Sequence, residues 1–217
     1  MACEYSPPLQ PDQGRLGSRY GVRAGIQPPH LPTFHAGIDL VTPDRAAGST
    51  PVYAIAAAHV ERLPSNDARS GPFNGYGNAV VLRHFGRDSG FWTFYCHMQR
   101  HAHALPQLLE RGLVVPAGAL IGWVGATNNG KFPGMGHHLH LEVRRAKPDG
   151  SSPLPGPYRT YNVDPVPWLA ARGIVFGSAF NRGAIVVEPP QACAPSVAVS
   201  DAKLRAALGG QDPRTMA

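Results

Sequence analysis

Apolar and polar positions alternate in short segments along most of this chain. HAGIDLV, PVYAIAAAHVERL, NAVVLRHF, FWTFYCHM, ALIGWVG and HLHLEVRR are each of strand length and are divided by Gly, Pro and Asn, the punctuation that ends strands and makes turns. AIAAAH alone also suits a helix, but its shortness and its β-type neighbours favour a strand. LPQLLERG reads as a short helix stopped by Gly112. A second short helix is expected over 165–172, with Asp164 as its cap and Gly173 as its stop. GIVFGSAF and GAIVVEPP look like one or two further strands, and SDAKLRAALGG like a terminal helix running from Ser200 to Gly209.

These elements divide the chain into three parts. Residues 1–30, with prolines at 7, 8, 11, 28 and 29, read as an extended N-terminal arm that contains one short turn-strand piece, GSRYGVR. Residues 31–172 carry the strand series and form the main domain. Residues 173–217 form a C-terminal extension, with a Pro/Ala/Ser linker near 189–198 and the short terminal helix. The length of 217 residues fits one domain with tails.

Composition supports a turn-rich β protein. The 25 glycines and 23 prolines make up about 22% of the chain, against an average of roughly 12%, and so many helix breakers exclude a helical bundle. No G-X-Y period is present, which excludes collagen. A hydrophobic fraction of 43% is too high for a disordered chain. The net charge of +6 and a pI near 9.5 favour anionic partners such as nucleic acid, a membrane surface or acidic wall polymers. With only 16% charged residues and no dense Lys/Arg block, a mildly basic surface is the bland reading and charge alone does not choose the partner, although no nucleic-acid partner is expected for the chain as a whole. No apolar run reaches the ~18–20 residues of a membrane helix, and the opening MACEYSPPLQPDQG has no basic-then-apolar signal pattern. Cys3, Cys96 and Cys193 form no CxxC pair, so a zinc–thiolate site is not expected. A Cys3–Cys193 disulfide stays open.

Three segments carry chemistry. In His35-Ala-Gly-Ile-Asp39, extended backbone points residues four apart to one face, and imidazole plus carboxylate is a reasonable zinc ligand pair. Taken singly, this pair reads more readily as a surface or capping contact. In His138-Leu-His140-Leu-Glu142-Val143, alternation puts His138, His140 and Glu142 on one face, with two imidazoles roughly 6.5–7 Å apart at the backbone. One can bind metal while the other faces the reacting group; an amphipathic strand with a solvated face is the bland alternative. In FWTFYCHM, alternation groups Phe91, Thr93, Tyr95 and His97 on one face and Trp92, Phe94, Cys96 and Met98 on the other, which places Cys96 in the core. His30, His59, His84, His101, His103 and His137 read as structural histidines.

The order of these pieces resembles the LytM/lysostaphin-type zinc metallopeptidases. The resemblance spans roughly residues 20–172 and rests on HAGIDL, TPVYAIAAAHV, GYGNAVVLRH, FYCHM, VPAGALIGWVGAT, HHLHLEV and NVDPVPWL. Each motif is weak alone, but the ordered set is specific. The chain departs from the usual pattern at Ala57-Ala58-His59-Val60, at Cys96 and Met98 around His97, and in GATNNGKFPGMGH, with His137 beside the HxH pair. The resemblance implies a mostly β fold, a compact antiparallel sheet or sandwich with a substrate groove and few short helices. It also implies an endopeptidase that cuts peptide cross-links or bridges of bacterial peptidoglycan. By position, His35, Asp39 and His140 match the ligands of one Zn²⁺, and His97 and His138 match the two catalytic histidines. Glu142 is expected either to orient a ligand imidazole or to form a salt bridge along the strand.

Two rival readings are a LytM-like binding module that activates another wall hydrolase, and a related carrier-type β fold. The first typically lacks zinc ligands, and the second requires neither HxxxD nor HxH. The wall substrate together with the absence of a leader raises two expectations, a missing signal peptide or delivery as an injected antibacterial toxin. The latter would bring a cognate inhibitor or immunity protein as a partner.

Overall fold

The computed structural model describes residues 4–23, 32–42, 48–154, 160–177 and 185–187. In chain order these form β1 (Arg15–Leu16), β2 (Gly21–Val22), β3 (Phe34–His35), β4 (Ile38–Val41), β5 (Pro51–Tyr53), β6 (Ala58–Arg62), β7 (Asn78–His84), β8 (Phe91–His101), α1 (Leu105–Glu110), β9 (Val114–Val115), β10 (Leu120–Val124), β11 (His138–Arg145), β12 (Asn162–Val163), α2 (Pro165–Ala170), β13 (Ile174–Phe176) and β14 (Ile185–Val187). The fold is mostly antiparallel β. One sheet runs β1-β4-β11-β8-β7-β6-β9, with β12 added to β11, β10 to β8 and β5 to β10. β2 pairs with β3 and β13 with β14 in two separate ribbons.

β11 is the element on which the site depends. Its alternation buries Leu139, Leu141 and Val143 in the larger core cluster, with Ile38, Leu40 and Tyr95, and turns His138, His140 and Glu142 to the opposite face. There a smaller cluster of Ala79, Val81, Trp92, Phe94 and Cys96 covers the sheet. Two antiparallel ladders fix the register, His140 lying opposite Asp39 on β4 and opposite Cys96 on β8. A slip of one residue would send both histidines into the apolar core, so the core packing of the three aliphatic neighbours holds the site in place.

Several elements differ from what the pattern alone suggests. PVYAIAAAHVERL divides into β5 and β6, which pair with different partners. Between them the Ile55 amide donates to the buried Tyr95 hydroxyl (3.0 Å), and the Ala54 amide to the Ala119 carbonyl (2.9 Å). The small alanines let the chain cross the core at this point. The described part of residues 1–30 lies against the sheet: Tyr5 and Leu9 are fully buried and β1 pairs with β4. α2 starts as expected, with the Asp164 side chain accepting from the Val166 amide (2.9 Å). The terminal helix and the Cys3–Cys193 pairing fall outside the described residues. Cys96 is a free, buried thiol in the smaller cluster, with its pKa pushed up by burial.

The face assignment at the end of β8 is corrected by the structure. Simple alternation groups His97 with Tyr95 and Met98 with Cys96. Instead, two steps on β7 (Asn78 to Val80) match three on β8 (Met98 to Tyr95), so β8 carries one extra residue. His97 takes a positive φ of 63° at this bulge, rare for a residue with a Cβ. Met98 is thereby returned to the larger core, and His97 swings to the face of His138 and His140.

His84 illustrates how a buried histidine serves stability alone. It is 2% exposed, and its Nδ1–H donates to the Ala57 carbonyl while Thr93 Oγ1 lies 2.8 Å from Nε2. Burial pushes its pKa down to about 4, against ~6.5 in the unfolded chain. The fold therefore holds the neutral ring, and the stability this contributes is full above pH ~6.5 and is lost as pH falls toward ~4. From pH 7 to pH 5 the loss amounts to about 2 kcal/mol. Urea denaturation at the two pH values is expected to show this difference, reduced in a His84→Gln variant.

Candidate metal centre and groove

Three donor atoms from two adjacent strands and one ribbon converge at the sheet surface. His35 Nε2 lies 3.0 Å from Asp39 Oδ1, His140 Nδ1 lies 2.9 Å from the same oxygen, and the two ring nitrogens are 3.0 Å apart. His35 is placed by β3 and Asp39 by β4, with a tight turn between them. Gly37 in that turn has no room for a Cβ, which would collide with the Leu141 carbonyl of β11, so the glycine of HAGID lets the two strands close on each other.

The remaining ring nitrogens settle the tautomers. His35 Nδ1–H donates to the Arg19 carbonyl (2.8 Å), leaving a lone pair on Nε2. His140 Nε2–H donates to Glu142 Oε1 (3.1 Å), leaving a lone pair on Nδ1. Two nitrogen lone pairs and a carboxylate oxygen thus face one another with no apolar filler between them. Such a set is repulsive unless a cation or a proton lies among its members. Burial pushes His140 down, but its hydrogen bonds to Asp39 and Glu142 prevail and raise it to about 9. Burial likewise pushes Asp39 up, yet the His140 and His35 contacts hold it well below the ordinary carboxylate range. Two imidazoles and a carboxylate, all within 4.8 Å of one another, fit a divalent zinc ion that takes N/O ligands and keeps one position open.

Behind His140 lies a network that residue pattern alone reveals only in part. Glu142 is 1% exposed, and its carboxylate meets four partners: His140 Nε2, the Tyr76 hydroxyl (2.8 Å), Arg144 Nε (2.8 Å) and Asn162 Nδ2 (2.9 Å). Arg144 also donates to the Tyr76 hydroxyl (2.7 Å) and stacks over Phe94. Both expected roles of Glu142 are present at once, imidazole orientation and a salt bridge along the strand. Burial raises the Glu142 pKa, but the Arg144 charge and the His140 hydrogen bond outweigh it and bring it to about 2. A Glu142→Gln substitution is expected to weaken zinc affinity by about 10–100-fold, the usual cost of losing a ligand's hydrogen-bond partner. It also leaves Arg144 as an uncompensated buried cation, which lowers the melting temperature. A competition titration against a zinc chelator and a thermal melt check the two effects.

The two other histidines stand beside the cluster. His97 and His138 ring centroids are 4.9 Å apart, and His97 is 5.6 Å from His140. His97 Nδ1–H donates to the Thr127 carbonyl (2.9 Å), and His138 Nδ1–H to the Gly136 carbonyl (2.8 Å). In each case Nε2 is left as the free acceptor, and that of His138 lies 3.6 Å from Asp39 Oδ1. Burial, reinforced by the neighbouring His138 and His140, brings His97 down to about 3, and burial also lowers His138. Both rings are therefore neutral at pH 7.

The GYGN motif supports His97. The His97 amide donates to the Tyr76 carbonyl (2.8 Å), and Thr127 Oγ1 accepts from the Asn78 amide (2.9 Å) while donating to the Met98 carbonyl (2.7 Å). Gly77, at a φ of 65°, passes so close to Thr127 that a Cβ would strike its carbonyl. Asn129, itself at positive φ, accepts from the Gly75 and Gly77 amides and ties the 125–136 loop to this segment. All five expected positions, His35, Asp39, His97, His138 and His140, line one groove of about 440 Å³. The sequence pattern does not single out Tyr76, Thr127, Arg144 or Asn162. Each lies inside a recognisable segment, GYGN, VPAGALIGWVGAT, HLHLEVRR and NVDPVPWL respectively, but no local signal separates it from its neighbours. No helix among the described residues is long and apolar enough to cross a membrane.

Comparison with known proteins places this arrangement. Residues 33–153, more than half of the chain, match the family model of peptidase family M23. Among curated proteins no sequence matches the chain. Among solved structures, it is similar to the antimicrobial peptidase lysostaphin from Staphylococcus simulans, at 23% identity and a TM-score of 0.54, over 82% of this chain and 58% of that one. A zinc-containing peptidase from Vibrio cholerae is 23% identical over 74% of this chain and 39% of that one, with a TM-score of 0.49. The chain thus spans less than two thirds of the length of either structure. With a family model matched over more than half of its length, the chain belongs to peptidase family M23, and its fold is similar to lysostaphin's.

Proposed function

We propose that this chain is a zinc-dependent endopeptidase that hydrolyses peptide cross-links or bridges of bacterial peptidoglycan, acting in the periplasm or the outer cell wall. The observation that carries this reading is the convergence of His35, Asp39 and His140 beside two neutral imidazoles in an open groove. His35, Asp39 and His140 are the residues that would hold the ion. Bound zinc would supply a Lewis acid that polarises the scissile carbonyl and acidifies water.

The protein's own groups then handle the protons. Because both Nδ1–H groups are committed to carbonyls, His138 Nε2 and His97 Nε2 each present a lone pair to the groove, and a water between them can direct one O–H to each. His138 Nε2 takes the proton of the attacking water as its oxygen bonds to the carbonyl carbon. Once charged, the same Nε2–H donates to the developing oxyanion and passes its proton to the leaving amine nitrogen as the C–N bond breaks. His97, held by its bulge and by Thr127, keeps the water aligned through that step.

Digestion of purified peptidoglycan by the zinc-loaded protein, with and without a chelator, tests the reading. Chelator-sensitive products with new amino termini, identified by mass spectrometry, are expected. Intact peptidoglycan after exposure to folded, zinc-loaded protein would overturn it.

A further inference from the structure

Among the described residues, the groove has one charged residue that the hydrolytic machinery does not use. Arg23 follows β2 and lines the same cavity as His35 and Asp39. Its position is held by the backbone: the Arg23 amide donates to the Thr33 carbonyl (2.9 Å), continuing the β2–β3 ribbon in which Gly21 lies opposite His35. Residues two apart on a strand share a face and stand roughly 6.5–7 Å apart. Arg23 is therefore on the side of the ribbon where the His35 ring meets the metal cluster, about one substrate residue away along it. Gly21, opposite His35, adds no side chain, and the space where its Cβ would stand is open.

That guanidinium is only partly engaged. Nη1 donates to the Pro32 carbonyl (3.2 Å), and among the described residues no carboxylate pairs with it. The two acids of the groove are otherwise committed, Asp39 to the imidazoles and Glu142 to Arg144, Tyr76 and Asn162. An arginine fork with free N–H groups matches a carboxylate in bidentate fashion. Phe132, Pro133 and Met135 give the groove apolar lining as well. A ligand that suits such a lining carries both a carboxylate and small alkyl groups. Arg23 lies before the stretch matched by the family model, residues 33–153.

We infer that Arg23 is a specificity residue of the groove, binding a free carboxylate of the peptide about one residue from the scissile bond and selecting acidic stem-peptide cross-links over neutral bridges. This rests on the peptidase reading above. The test uses the full zinc-loaded chain with purified peptidoglycan whose stem carboxylates are free, and with the same material after carbodiimide amidation. Wild type is expected to cleave the free-acid form about 10-fold faster or more in kcat/KM. Arg23→Gln is expected to lose that preference while its rate on amidated material stays within about 2-fold. Arg23→Lys should retain part of it, and Arg62→Gln, an exposed charge outside the groove, should retain it fully.

Equal rates on the two substrates by wild type, or an equal loss on both in Arg23→Gln, would overturn the assignment while leaving the peptidase reading intact. Co-sedimentation of each variant with both forms of peptidoglycan separates the two ideas. An Arg23-dependent preference in binding without any cleavage supports the carboxylate site and refutes the peptidase. Indifference in binding without cleavage refutes both.

Discussion

Replacing His140 with alanine is expected to abolish both zinc retention and cleavage. The substitution removes a nitrogen that meets Asp39 Oδ1 and His35 Nε2 at about 3 Å and cuts the link between the cluster and Glu142. Loss of a mere outer partner costs roughly 10–100-fold in metal affinity, so loss of the ligand itself should exceed about 100-fold. Metal analysis of the purified variant after dialysis reads this directly. The side chain lies on β11 between Leu139 and Leu141, both fully buried, and their packing is untouched. The variant is therefore expected to fold, and near-ultraviolet circular dichroism verifies it. Stoichiometric zinc in folded His140→Ala, with cleavage intact, would remove the metal assignment.

The second large effect separates proton transfer from metal binding. His138→Ala is expected to keep zinc at one per chain yet lose about 10²–10⁴-fold in kcat, the range for removal of a positioned acid–base group. His138 approaches Asp39 only at 3.6 Å and has its own anchor at the Gly136 carbonyl, so the three donors remain assembled without it. His97→Ala should give the same separation, with an added stability change because residue 97 sits at a φ of 63°. Alanine is strained in that region, and His97→Gly, which relieves the backbone while removing the ring, distinguishes the two contributions. Simultaneous loss of zinc in folded His138→Ala would make that residue a ligand instead of a base.

Much of this was legible in residue order. The alternation of HLHLEV assigns His138, His140 and Glu142 to one face because strand periodicity is local, requiring only extended backbone and a buried set of Leu139, Leu141 and Val143. HAGID holds a close pair as well, but not by the extended backbone expected of it: the chain bends at Ala36-Gly37 between β3 and β4, and this bend brings His35 and Asp39 together. The same local rule failed at His97. Its face depends on an extra residue in β8 relative to β7, a mismatch between two strands that no single segment records. The β5–β6 division also escaped, because which partner a strand finds is a property of the whole sheet.

The sequence by itself determined the β class, from composition and short alternating segments, and the common face of His138, His140 and Glu142, from a period of two. It was the ordered set of motifs and its family resemblance that pointed to His35, Asp39, His97, His138 and His140 together. Tertiary structure alone decided which nitrogen of each imidazole is free. That choice is made by carbonyls of Arg19, Thr127 and Gly136 and by the Glu142 carboxylate. It alone also turned His97 into the groove through the β8 bulge, and set Gly21 opposite His35 with Arg23 two residues further along the β2–β3 ribbon. The physical reason is common to all three: a hydrogen-bond partner or strand neighbour distant in the chain selects one orientation among several that local backbone preference leaves equal in energy.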